Sequence, residues 1–205
     1  MADLLYYAFE NTAQFMLVNE SRPFAVLAVL MAIAVWKLNK EAFPRVLGAI
    51  PAFIALATGV LTPLYTAWFP HTVYLFENEV SARNFVNIQP YIGTACAIWV
   101  IWNVVINFYL IYGADWKSFV FPLIFLAGVG SNAAILYFYP ALALTLRPAI
   151  GMFGCFAVLC LILIRLLYDI LSKKEKKWLL TVIAVIILLV SAKLVIKLLK
   201  YIGVI

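Results

Sequence analysis

Long apolar stretches alternate with short polar segments along most of this chain. A transmembrane helix needs about 20 largely apolar residues to cross roughly 30 Å of hydrocarbon. All but the first stretch reach that length, and the first does so if Arg22 or Lys37 snorkels to the membrane surface. The pattern predicts an all-α, polytopic membrane protein with six transmembrane helices over residues 23–205. The stretches are Pro23–Leu38, Pro44–Phe69, Pro90–Tyr112, Ser118–Tyr139, Pro148–Leu171 and Trp178–Leu199.

Residues 1–22 form a separate amphipathic segment ahead of the first stretch. Its apolar positions fit one face of a helix, whereas Glu10, Asn11 and Gln14 lie on another face. We expect a helix that lies flat in the membrane interface, because Glu10 in mid-membrane is costly without a partner. A short seventh span, with its polar side facing the bundle, is the alternative.

The composition excludes a soluble domain. Hydrophobic residues make up 67% of the chain and charged residues 12%, with a mean hydropathy of +1.06. Soluble domains are about 25% charged. The net charge of +6 does not indicate nucleic-acid binding, because the excess Lys and Arg lie near membrane ends, where they meet anionic headgroups. We therefore expect membrane lipids as partners and no nucleic acid.

Basic residues are concentrated in alternate gaps between the stretches. The first, third and fifth gaps hold 3, 1 and 4 Lys and Arg, and the second and fourth hold 1 each. Because cytoplasmic loops are enriched in Lys and Arg, the odd gaps are predicted to be cytoplasmic. The Pro70–Gln89 loop and Arg147 then face outward. Lys193, Lys197 and Lys200 break the pattern at the outer end of the last stretch, so the inverted orientation stays open.

The predicted outer loop Pro70–Gln89 is the longest polar segment between stretches. Two carboxylates, Glu77 and Glu79, precede Arg83 in this loop. Such a pair beside an arginine is suited to acid–base chemistry or to holding a sugar or a cation. An ordinary solvated loop is the simpler interpretation. Glu77 and Glu79 are thus the candidate catalytic residues, with Arg83 as a candidate binding residue.

Arg147 stands in a short apolar turn ahead of Pro148. A lone guanidinium in such surroundings is suited to a phosphate or pyrophosphate headgroup. The alternative is a boundary charge that reaches water by snorkelling.

Amide side chains occur within two of the predicted spans. Asn103 and Asn107 are four residues apart and share one face of the third span. Ser131 and Asn132 follow Gly128 and Gly130 in the fourth span. Intramembrane amides and small residues usually join helices, and lining a polar cavity is the alternative.

Metal and cofactor sites are not expected. The chain has a single histidine, His71, and its three cysteines lie within apolar stretches without the spacing of a zinc or redox pair. We predict neither a metal nor a cofactor.

The segment from Ser131-Asn132 to Pro140, continuing through Arg147 to Phe153, resembles a known family. It is similar to the distal helices of bacterial polyprenyl-phosphate-sugar-dependent glucosyltransferases and surface-polysaccharide membrane proteins, in which a Ser-Asn helix leads to a proline turn and an arginine. Family members are longer and carry an acidic catalytic residue in the first outer loop; only Glu77 and Glu79 are loop candidates for that role here. The resemblance implies a lipid-linked sugar as the substrate.

Three functions follow as hypotheses. The leading one is handling of a lipid-linked saccharide at the outer face of a bacterial inner membrane, by glycosyl transfer or as a partner subunit. Arg147 would bind the phosphate, and the outer loop would bind the sugar. A small transporter or substrate-binding subunit is the second, with Asn103, Asn107, Ser131 and Asn132 around a cavity. The third is an oligomeric pore or interaction subunit without a substrate. The expected partners are a polyprenyl-phosphate lipid and a partner membrane subunit or further copies of the chain.

Overall fold

The computed structural model describes residues 5, 8–9, 11–13, 16–17, 22–59, 89–139, 149–181 and 184. Within these ranges the regular structure is helical and no strand occurs, which confirms the all-α fold. The five helices with defined bounds are α1 (Arg22–Leu38), α2 (Ala42–Gly59), α3 (Gln89–Tyr112), α4 (Lys117–Phe138) and α5 (Ala149–Ile170). Residues 173–181 are also helical.

Three of the described helices are long and apolar enough to cross a membrane. They are the segments Ala95–Tyr112 of α3, Lys117–Phe138 of α4 and Ala149–Ile170 of α5. Shorter apolar helices cover Pro23–Leu38 and Ala42–Ala57. Residues 60–69 of the second predicted stretch and most of the sixth lie outside the described residues, so the count of six spans stays a prediction.

The chain divides into two compact units, Met1–Ile164 and Arg165–Ile205. In the first unit, α1 packs on α2 and α3, α2 on α3, and α3 on α4. Phe24 of α1, Phe125 of α4 and Phe156 of α5 form an aromatic cluster at the centre of the unit, with ring centroids 5.3 to 6.3 Å apart. All three side chains are fully buried. These rings bring α5 against α1 and α4.

The ends of α1 and α3 meet at Asn39. Its Nδ2 donates to Val35 O and to Leu110 O, at 3.2 Å each. Because Asn39 is in the first gap and Leu110 lies three residues before the third, the contact brings these two gaps to the same end of the unit. Which side of the membrane this end faces stays a prediction.

A glycine turn joins α3 to α4. Gly113 has φ +61° and its N–H donates to Tyr109 O at 2.7 Å, the left-handed geometry that commonly ends a helix. Lys117 pairs with Asp115 at 3.3 Å directly after this turn. The predicted third gap is therefore a tight, charged connection.

The second unit contains a helix start that differs from the predicted boundary. The sequence pattern begins the sixth stretch at Trp178, whereas residues 173–181 are helical. Ser172 Oγ and the Ser172 N–H both donate to Glu175 Oε2, at 2.8 and 3.0 Å. This is a capping box, which starts a helix at the polar residues rather than at the apolar ones. Within α5, Arg165 and Asp169 form an intrahelical ion pair at 3.5 Å.

Candidate functional site

A buried polar contact links the N-terminal segment to α4. Asn132 is fully buried, and its Nδ2 donates to Thr12 Oγ1 at 2.9 Å. The Thr12 hydroxyl in turn donates to Ala8 O at 2.8 Å. Asn132 Oδ1 is buried without a hydrogen-bond partner among the described residues. The chain of hydrogen bonds therefore starts at Asn132 on α4 and ends at Ala8 O, and Asn132 Oδ1 remains unused.

The described part of the N-terminal segment has its polar side against the bundle. Asn11 is 2% exposed and Thr12 1% exposed, whereas Leu5 is 65% exposed. These polar side chains are therefore buried rather than in water, and Asn132 offers Thr12 a donor that bare hydrocarbon does not provide. Whether the segment lies flat in the interface or spans the membrane stays a prediction. Glu10 and Gln14 lie outside the described residues.

Helices α4 and α5 approach closely at Gly128. A Cβ built at Gly128 would lie 2.8 Å from Cys155 Cβ and 3.4 Å from Met152 Cα. Further along, a Cβ at Gly151 would lie 3.4 Å from Ser131 Oγ. The Ser131 hydroxyl donates to Gly128 O at 2.8 Å, within its own helix. Gly128 thus permits the close approach of α4 to α5, whereas Gly130 has no neighbouring atom within 4 Å of a built Cβ.

An apolar groove lies between the N-terminal segment and the second half of α4. It has a volume of about 640 Å³, within the range of small-molecule sites. Gly130, Ala133 and Ala134 form its floor, since glycine and alanine leave space beside a helix. The remaining lining residues are Leu5, Ala8, Phe9, Tyr137 and Phe138. This lining is suited to hydrocarbon rather than to a polar molecule.

Asn103 and Asn107 are both buried on α3, 2% and 0% exposed. Asn103 Nδ2 donates to Trp99 O at 2.8 Å, in its own helix. Asn103 Oδ1 and both polar atoms of Asn107 have no hydrogen-bond partner among the described residues. Among the described residues, no hydrogen bond joins these amides to another helix or to Asn132. That the three amides line one site stays a prediction.

Four predicted site residues lie outside the described residues. Glu77, Glu79 and Arg83 fall within 60–88, and Arg147 falls within 140–148. Lys193, Lys197 and Lys200 are also outside. The predicted meeting of the outer loop with Arg147 therefore stays a prediction.

Sequence reasoning missed Thr12 and the groove. The available signal was the small-residue set at positions 130, 133 and 134, which shares one helical face by its spacing of three and four. Within the described residues, no group of three or more His, Cys, Asp or Glu lies close enough to hold a metal ion.

No protein family, curated protein or solved structure matches this chain. The function therefore has to be argued from the residues and the geometry alone.

Proposed function

We propose that this protein binds a lipid-linked saccharide in the membrane, with the lipid chain in the groove beside α4. The observation that carries the proposal is the groove itself, whose lining is apolar and whose volume is about 640 Å³. Phe138, the last residue of α4, lines it. In the sequence, Arg147 follows Phe138 by nine positions and precedes the start of α5 at Ala149 by two.

The two ends of such a lipid need different partners. A polyprenyl chain is hydrocarbon, so burying it in an apolar groove is favourable. Its phosphate needs a cation, and a guanidinium donates two parallel hydrogen bonds to phosphate oxygens. Arg147 is our candidate for that cation, and Glu77, Glu79 and Arg83 are our candidates for contact with the sugar. The activity would be glycosyl transfer or delivery to a partner subunit.

Lipid binding in the groove is tested with the full chain in lipid nanodiscs. The probes are a polyprenyl phosphate and a polyprenol of the same length. Ala134→Phe fills the groove and should weaken binding of both probes about tenfold. Arg147→Gln should remove only the preference for the phosphate. Ala127→Phe adds the same ring at an exposed α4 position outside the groove and is the matched control.

Equal binding by the Ala134→Phe and Ala127→Phe variants would refute the groove as the lipid site. In cells, Arg147→Ala and the combined Glu77→Gln and Glu79→Gln change should abolish surface-polysaccharide modification while the protein still inserts. Unchanged glycans in both variants would refute the saccharide part of the proposal.

Transport of a small polar molecule is a second candidate, favoured by Asn107, whose buried amide has no hydrogen-bond partner among the described residues. A buried amide without a hydrogen bond is costly, and a polar substrate would satisfy it. Asn107→Leu separates the possibilities, because it removes the amide and keeps the volume similar. Loss of substrate uptake with unchanged stability would support transport, whereas unchanged uptake would refute it.

The membrane arrangement completes the proposal. We propose six spans, with the three long helices α3, α4 and α5 as the central ones, in a bacterial inner membrane. Support comes from the apolar stretches on either side and from the alternation of basic gaps.

A further inference from the structure

A second apolar groove lies along α2, apart from the one beside α4. It has a volume of about 470 Å³ and runs along α2 from Arg45 to Ile54. The step of nine residues from Arg45 to Ile54 corresponds to a rise of about 14 Å along the helix. Its other lining residues are Trp36, Val46, Ala49, Ile50, Phe53 and Trp99.

Arg45 is held in a fixed position at one end of this groove. Its Nε donates to Asn39 O at 2.9 Å, and its guanidinium carbon lies 4.6 Å from the centre of the Trp36 ring. Neither contact neutralises the charge, and no carboxylate of the described residues forms an ion pair with it. The guanidinium therefore keeps donors for an anion.

The surroundings add positive charge. This part of the sequence contains one acidic residue, Glu41, and three basic residues, Lys37, Lys40 and Arg45. Trp36 is 54% exposed beside them, and tryptophan is enriched at the level of lipid headgroups. Basic pockets between membrane helices on the cytoplasmic side bind anionic headgroups.

We propose that this groove binds an anionic glycerophospholipid of the cytoplasmic leaflet. Its phosphate contacts the Arg45 guanidinium, and one acyl chain lies along α2 over Ala49 and Phe53. Charge complementarity selects the occupant, because a zwitterionic lipid fits the apolar part equally but gains less from Arg45 and its basic neighbours. The site is independent of the groove beside α4.

Native mass spectrometry of the full chain tests the site. The protein is equilibrated with phosphatidylglycerol or phosphatidylcholine, and the retained lipid is counted. We expect the wild type to retain phosphatidylglycerol preferentially. Arg45→Gln should weaken that binding about fivefold, whereas Arg45→Lys should keep most of it. Ala49→Trp fills the groove and should reduce retention of both lipids.

Lys117→Gln is the matched control, because it removes one positive charge from the connection at the same end of the unit, outside the groove. It should leave retention unchanged. Equal retention of the two lipids by the wild type would overturn the proposal. So would an equal loss in Arg45→Gln and Lys117→Gln, since only the general surface charge would then act. An equal loss in Arg45→Lys and Arg45→Gln would assign Arg45 a purely structural role and also overturn it.

Discussion

Asn132 Nδ2 donates a 2.9 Å hydrogen bond to Thr12 Oγ1, across 120 residues of sequence, and both side chains are buried. This contact holds the N-terminal segment against α4. Since hydrocarbon offers no substitute acceptor, Asn132 Nδ2 depends on Thr12 Oγ1 for its hydrogen bond.

Thr12→Val tests this dependence. The valine has a similar shape but leaves Asn132 Nδ2 buried without an acceptor, so the free energy of unfolding should fall by about 1 kcal/mol. The cost should shrink when Asn132→Leu is also present, because no donor is then left unpaired. Unfolding of the four proteins in mixed detergent micelles gives the coupling energy. An equal cost of Thr12→Val in both backgrounds would contradict the contact.

Gly128→Ala should destabilise the protein by about 1 to 3 kcal/mol, because the added methyl group lies 2.8 Å from Cys155 Cβ. Gly130→Ala is the control, since a Cβ there has no neighbouring atom within 4 Å. The higher helix propensity of alanine should make that variant equal to or slightly more stable than the wild type. Thermal unfolding of both variants in detergent checks the pair, and the reverse ranking would rule out the close approach of α4 and α5.

The turn between α3 and α4 should require glycine for its backbone alone. Gly113 has φ +61° and no atom within 4 Å of a built Cβ, so Gly113→Ala should cost about 1 kcal/mol without any clash. Gly113→Asn should cost less, because asparagine tolerates this conformation. Gly154→Ala, at an open helical position, should cost nothing. Equilibrium unfolding of the three variants distinguishes strain from crowding; equal stability of all three would show that the turn is not left-handed.

Single cysteines test which gaps share a side. Lys40→Cys and Ala114→Cys, in a chain with its three native cysteines replaced by alanine, should react with an impermeant maleimide from the same side of the membrane. The reason is the Asn39–Leu110 contact at 3.2 Å. We expect that side to be the cytoplasm and Asn78→Cys to react from outside. Reaction of the first two from opposite sides would exclude the contact, and reaction of both from outside would invert the orientation.

Apolar length was sufficient to predict the described helices. The bounds of α3, α4 and α5 fall within one residue of the predicted stretches, because an uninterrupted apolar run of this length is stable only as a helix in hydrocarbon. The start at residue 173 was missed, since Ser172 and Glu175 begin that helix through polar contacts that hydropathy does not register.

The candidate sites were harder to predict. The sequence identified Asn132 and its neighbouring glycines, but not that Thr12 would accept its hydrogen bond. It also grouped Asn103 and Asn107 with Asn132 as lining of one cavity, which stays a prediction. Partners so distant in sequence leave no local pattern.

By itself, the sequence determined that this chain folds as apolar helices, because the bilayer forces every backbone N–H and C=O to pair within its own segment. It also determined the positions of the basic residues between the apolar stretches. Only the tertiary structure decided which helix faces touch, where Gly130 and Ala134 leave a groove, and that Arg45 lies over Trp36. Those outcomes depend on side-chain packing between distant segments, and composition and periodicity do not specify it.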